Sequence, residues 1–245
     1  MIMSLLNVWV EHERALVGVD THAMHLGPNG QPLVVNGFPA GARFETSKMI
    51  PLVHLNAVLA VRGTAALLVH VFMHCNLKPR QGLDEIFRDL PLILDQSFPE
   101  LKRVPGAVAA GQEVLLVGWS RQAGRMRALM LKQEPTRDAF VPNEVEELWI
   151  GPWDDDVQGA PVDPSDDRSM AELMQAQRRD ARERFPELPI GGRALIADLS
   201  RDGMSFREVA DLERAVGGSV ADTITRLFPG TSHIFGQRKR PVSRG

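Results

Sequence analysis

Two short apolar runs near the N-terminus, joined by a polar turn, constrain this chain more than any other stretch. Leu6, Val8 and Val10 alternate along one side of the first run, and Ala-Leu-Val-Gly-Val-Asp over 15–20 forms the second. Between them Glu11-His-Glu-Arg14 is a polar turn, so the pair predicts a β-hairpin. The hairpin is headed by Ser4 and ends on Asp20, and a second strand pair, expected over 44–51 and 57–61, carries Lys48. A hydroxyl at the head of a strand is a poor nucleophile alone. An amine held beside it, and a carboxylate that fixes the amine's charge, change that.

The rest of the chain alternates between strand pairs and helices. Residues 26–42 are rich in Gly, Pro and Asn and read as an excursion loop. Thr64 is placed to cap a helix over 65–75 that is apolar all round, the pattern of a helix sandwiched between other layers. Apolar residues at 83, 86, 87, 90, 93 and 94 give a helical spacing over 82–98. Strands follow over 113–120, 125–132 and 147–150, then a loop through Asp154-Asp-Asp156. Ser169 is expected to cap a long helix over 170–185, and 193–199 reads as a strand closing on the turn Arg201-Asp-Gly203. Residues 205–216 are expected to form a short helix or an irregular connection. Antiparallel strand pairs with helices inserted between them predict helix layered on sheet, not a Rossmann alternation.

These residues resemble the proteasome β-subunit type of N-terminal-nucleophile hydrolase, and in particular the peptidase subunit of the bacterial two-component ATP-dependent protease. The resemblance is carried by Ser4 through Val17-Gly-Val-Asp20, by Ser47-Lys48, and by Ala60-Val-Arg-Gly63-Thr64 leading into an apolar helix. In that family a Thr begins the first strand and an Asp follows sixteen positions later, a separation that Ser4 and Asp20 keep. The resemblance covers roughly residues 4–135.

It implies a four-layer αββα sandwich, two stacked and mainly antiparallel sheets flanked by helices, as a single domain over 1–235 with a basic tail at 236–245. It implies a Ser4 nucleophile activated by its own α-amine, tuned by Asp20 and Lys48, with Gly63 supplying an oxyanion-stabilising N–H. Peptide or amide substrates, assembly into a homo-oligomeric ring, and an ATPase partner are further expectations. The chain departs from the family in three ways. Ser replaces Thr, Met1-Ile2-Met3 precede the nucleophile, and the family's later Gly-Ser-Gly element falls at Gly151-Pro152-Trp153. Removal of Met1–Met3 is therefore a condition of hydrolysis. Without it, the same scaffold would act in assembly or partner binding, with Asp20 and Lys48 as a structural ion pair.

Bulk properties narrow the alternatives. A net charge of -3 creates no global field for nucleic acid or anionic membranes, and no apolar run is long enough to span a bilayer. The N-terminus lacks the charged region of a secretion signal, and the single cysteine, Cys75, permits no intrachain disulfide, so a cytoplasmic protein is expected. His70 and His74 have metal-ligand spacing but sit in an apolar helix without a further ligand, and read as packed histidines. Asp154-Asp-Asp156 lacks the alternation of a calcium loop, and Gly118-Trp-Ser120 lacks the second glycine of a nucleophile elbow. No cofactor and no metal is expected.

Overall fold

A polar turn lets the first segment fold back on itself, and strand alternation then decides which side each residue buries. The computed structural model describes residues 4–23, 34–35, 38–39, 44–77, 82–103, 111–134, 139–151, 163–184 and 190–212. The chain begins with β1 (Leu6–Val10), β2 (Arg14–Asp20) and the two-residue strands β3 (His22–Ala23), β4 (Val34–Val35), β5 (Phe38–Pro39) and β6 (Phe44–Glu45). It continues through β7 (Met49–Leu52), β8 (Ala57–Arg62), α1 (Ala65–Leu77), α2 (Leu83–Lys102), β9 (Glu113–Ser120) and β10 (Arg125–Glu134). The last elements are β11 (Ala139–Val145), β12 (Leu148–Gly151), α3 (Asp167–Arg184), β13 (Arg193–Ser200) and β14 (Gly203–Asp211). Residues Met1–Glu213 form one compact unit; 213–245, including the expected basic tail, lie outside the described residues.

The architecture is mixed α/β with two antiparallel sheets and three helices. One five-stranded sheet runs β12–β1–β2–β13–β14, the other β11–β10–β9–β8–β7. The N-terminal hairpin forms as its alternation demands, with Leu6 opposite Val19 and Val10 opposite Ala15.

Burial resolves into three apolar clusters. Leu6, Val8, Val10, Val17 and Val19 of the first sheet join Val58, Ala60, Leu115, Val117 and Met130 of the second. Leu59, Val61, Leu116 and Leu131 instead join Leu67 and Val71 of α1 and Leu90, Leu94 and Phe98 of α2. Leu5, Trp9, Leu16 and Ile196 join Met170, Leu173 and Met174 of α3. Odd and even positions of the same strand thus enter different clusters, which the period of 2 requires. No helix among the described residues is long and apolar enough to cross a membrane.

Four expectations are corrected. Residues 205–211 are strand, not helix: β14 pairs with β13, but Ala194 faces Ala210 while Leu195 faces Glu208, leaving Val209 as an extra residue. That bulge sends Met204 and Phe206 to one cluster and Val209 and Ala210 to another, which breaks the alternation that would have marked a strand. A strand missed altogether, β11, has four consecutive exposed residues at 141–144 and so carries no apolar period. The cap of α3 is Asp166, whose carboxylate accepts the Ser169 N–H at 2.7 Å and the Ser169 hydroxyl at 3.0 Å; these bonds hold it below the usual carboxylate range. Helix α1 buries Leu67, Leu68, Val71 and Cys75 but leaves Val69 and Met73 about half exposed, so it is not apolar-covered on every side.

The α2 cluster yields a direct test of this packing. Phe98 is fully buried and meets Phe140 edge-to-face at 5.0 Å. Phe98→Ala is expected to lower the unfolding free energy by about 3–5 kcal/mol, read as a lower urea midpoint at unchanged slope.

Candidate functional site

The hairpin places Ser4 and Asp20 at one end of the first sheet, while Lys48 and Gly63 flank β7 and β8 at the edge of the second. Asp20 ends β2 and is completely buried. Its Oδ1 accepts the Leu5 N–H at 2.7 Å and the Lys48 Nζ at 2.7 Å, and its Oδ2 accepts the Gly191 N–H at 3.2 Å. One carboxylate therefore ties the strand head that carries Ser4, the second sheet, and the Gly191-Gly192 entry into β13. Ser4 is 3% exposed, and continuing the β1–β2 register places it opposite Thr21.

Lys48 sits just before β7, and its carbonyl accepts the Val61 N–H at 2.9 Å. Its ammonium is almost wholly buried. Loss of hydration pushes its pKa below the usual lysine value and outweighs the opposing pull of the Asp20 charge and hydrogen bond. An amine so placed holds its proton less firmly than an exposed lysine does.

Gly63 follows β8, two residues beyond Val61, at φ +153°. A Cβ there would lie 2.0 Å from Oε1 of Gln112, which is fully buried and accepts the Thr64 N–H at 2.8 Å. Gln112 is itself fixed by Gln133, whose Oε1 accepts the Gln112 N–H at 3.2 Å and whose N–H donates to the Gln112 carbonyl at 2.9 Å. The strand exit at Gly63 thus rests on a glutamine rather than on a Thr64 cap, whose buried hydroxyl has no hydrogen-bond partner among the described residues. Beside it Arg62 and the buried Glu113 form a second ion pair, with Nε 2.7 Å from Oε2.

Gly151, the first residue of the expected Gly-Ser-Gly counterpart, is paired with Leu6. Its N–H donates to Asn7 Oδ1 at 3.3 Å and its carbonyl accepts from Gln177 Nε2 at 3.2 Å, closing a buried amide network with α3. Pro152 and Trp153, like Asp154-Asp-Asp156, lie outside the described residues.

The structure brings together Ser4, Asp20 and Lys48 through the shared Asp20 carboxylate, and sets Gly63 just past the strand that pairs with Lys48. Sequence reasoning missed Gln112 and Gly191. A Gly-Gly pair opening β13 was a usable signal for Gly191, since Gly192 has φ +77°; a lone glutamine before a strand gave none. His70 and His74 stack edge-on at 4.6 Å, and no group of three or more metal-ligating side chains exists among the described residues. The chain matches no protein-family model and no curated protein.

Two predictions follow from this geometry. Lys48→Met strands a buried carboxylate and is expected to cost about 3–5 kcal/mol at neutral pH. Because the folded Lys48 pKa lies below its unfolded value, the unfolded chain binds more protons between the two. Wild-type stability attributable to Lys48 should therefore rise with pH from the depressed pKa up to about 10.5 and level off above it. Urea unfolding of wild type and variant from pH 7 upward checks the sign; a pH-independent difference would contradict it.

Gly63→Ala is expected to displace Gln112 and cost about 1–3 kcal/mol through the lost Thr64 hydrogen bond and backbone strain. Gln112→Ala in the Gly63→Ala background should then be far less damaging than the two costs added. Additive costs would refute the contact.

Proposed function

We propose that this chain is a proteasome-type N-terminal-nucleophile hydrolase acting on peptide or amide bonds, with Ser4 as the nucleophile once Met1–Met3 are removed. The observation that carries this reading is the buried Asp20 carboxylate, held at once by the Lys48 ammonium and by the amide that follows Ser4. In this reading the two sheets stack face to face with α1 and α2 outside one and α3 outside the other, a four-layer αββα sandwich. The three apolar clusters support it.

The chemistry runs through few atoms. The freed α-amine of Ser4, with an ordinary pKa of about 8, takes the hydroxyl proton as Oγ bonds the scissile carbonyl carbon. The Lys48 ammonium, oriented by its bond to Asp20, favours the developing alkoxide. A backbone N–H at Gly63 stabilises the tetrahedral oxyanion, a contribution of about 3–4 kcal/mol. Collapse expels the amine leaving group with the transferred proton. Water then hydrolyses the Ser4 ester with the α-amine again as base.

Assembly into a homo-oligomeric ring, an ATPase partner and a cytoplasmic location belong to the same reading. The half-exposed Val69 and Met73 of α1 support an assembly surface. A second reading is a catalytically silent scaffold in assembly or partner binding. It is favoured by one specific observation, the three residues that block the Ser4 amine.

The mass of the purified full-length product separates the two. A chain starting at Ser4 is expected, along with covalent labelling by a hydroxyl-directed inhibitor and a loss of about a thousandfold or more in amide hydrolysis on Ser4→Ala. An intact Met1 with no labelling leaves the scaffold reading standing and removes the hydrolase.

A further inference from the structure

A second concave site lies at the other end of the strands from Ser4, and its chemistry differs. Three turns and a helix start converge there: the single 3-10 turn Val53–Leu55 between β7 and β8, the turn after β9, the turn after β13, and the first residues of α2. They enclose a cavity of about 160 Å³ lined by His54, Asn56, Gly82, Trp119, Arg121 and Arg201, among others. No carboxylate is among the described residues that line it.

Several guanidinium groups elsewhere are committed: Arg14 and Arg207 to Asp198, Arg62 to Glu113, Arg127 to Glu144, and Arg193 to Glu208, whereas the arginines of this cavity are exposed. Arg121 and Arg201, one from each sheet, form no ion pair among the described residues. The Arg201 guanidinium lies over the Trp119 ring at 5.6 Å, a contact that consumes no N–H donor. Asp84, in the first turn of α2, is not among the residues that line the cavity and pairs with Arg127 at 3.4 Å. Its oxygens are taken by the Ser120 hydroxyl at 2.5 Å and the Gln122 N–H at 3.2 Å.

The site is also built. Asn56 adopts a left-handed conformation at φ 47°, and its Nδ2 donates to the Ser200 and Arg201 carbonyls at 2.8 and 3.0 Å. One amide thereby fastens the turn bearing Arg201 to the turn bearing His54, across two sheets. Gly82 brings the start of α2 to the same cavity with no side-chain cap, and a Cβ there would meet nothing within 4 Å. The first turn of α2 carries Asp84 and Glu85, so the positive charge that the cavity offers comes from the two guanidiniums.

We propose that this cavity binds a phosphate group. Two guanidiniums without an ion pair among the described residues match a dianion better than a single carboxylate, and a volume of about 160 Å³ admits a tetrahedral group with room beside it. The group reaches the site either as free inorganic phosphate or as the phosphate of a small monoester whose flat ring rests near Trp119. The inference stands apart from the hydrolase reading, since none of its residues touches Asp20 or Lys48.

Calorimetric titration of the full-length protein with inorganic phosphate, adenosine monophosphate and acetate tests it. Saturable binding of phosphate or the monophosphate is expected, weakened about tenfold or more by Arg121→Gln and by Arg201→Gln but not by Arg103→Gln. Tighter binding of adenosine monophosphate identifies a monoester; tighter inorganic phosphate identifies the free ion. A phosphate-dependent rise in Tm, kept by wild type and lost in Arg201→Lys, gives a second readout at a substitution that retains charge. No saturable binding, binding indifferent to both arginine changes, or acetate held as tightly as phosphate overturns the proposal.

Discussion

The Asp20 carboxylate is the constraint on which the candidate site depends. It is fully buried, yet it accepts from a lysine of the opposite sheet and from two backbone N–H groups of its own. A buried carboxylate needs donors for its oxygens, and here three N–H groups meet both of them. Those donors come from the head of β1, the residue before β7 and the entry to β13. The carboxylate therefore fixes how one edge of each sheet meets the other. Such a pair is a weak source of net stability, because well-packed apolar side chains of similar volume usually do as well. Its value lies in specifying geometry, and the geometry it specifies is the surroundings of Ser4.

The Gly63 side follows a parallel logic with neutral groups. Gln112 and Gln133 answer each other's backbone groups, and the remaining Gln112 oxygen takes the first amide beyond Gly63. A side chain at Gly63 and this glutamine cannot share the space. The exit from β8 is thus held open by an absent Cβ and closed from behind by a buried amide, an arrangement that leaves backbone rather than side chain facing the site end.

Much of the frame was legible because it rests on local rules. The N-terminal hairpin announces itself through Leu6, Val8 and Val10 on either side of a polar turn, and α2 through its apolar period. What escaped was written in non-local terms. The strand β14 was hidden because Val209 is an extra residue that shifts the alternation midway. The strand β11 was hidden because Pro142, Asn143 and Glu144 face solvent at a sheet edge. Of the candidate site, Ser4, Asp20 and Lys48 are reached through the family resemblance that they help to carry, whereas Gln112 is not. Its role arises from a contact with Thr64 across 48 positions.

The two ends of the strands differ in how charge is handled, and this sets what each can do. At the Ser4 end two cations have buried carboxylates: Lys48 has Asp20 and Arg62 has Glu113. Each of those charges is met within the protein. At the turn end Arg121 and Arg201 are left open beside Trp119, and the field reaches solvent. An open positive site attracts an anion at distance and releases it with rising salt. The turn end is not open throughout, since Arg14 has Asp198 and Arg127 has Glu144 there; among the described residues the opening is confined to Arg121 and Arg201, which occupy turns where the paired arginines occupy strands.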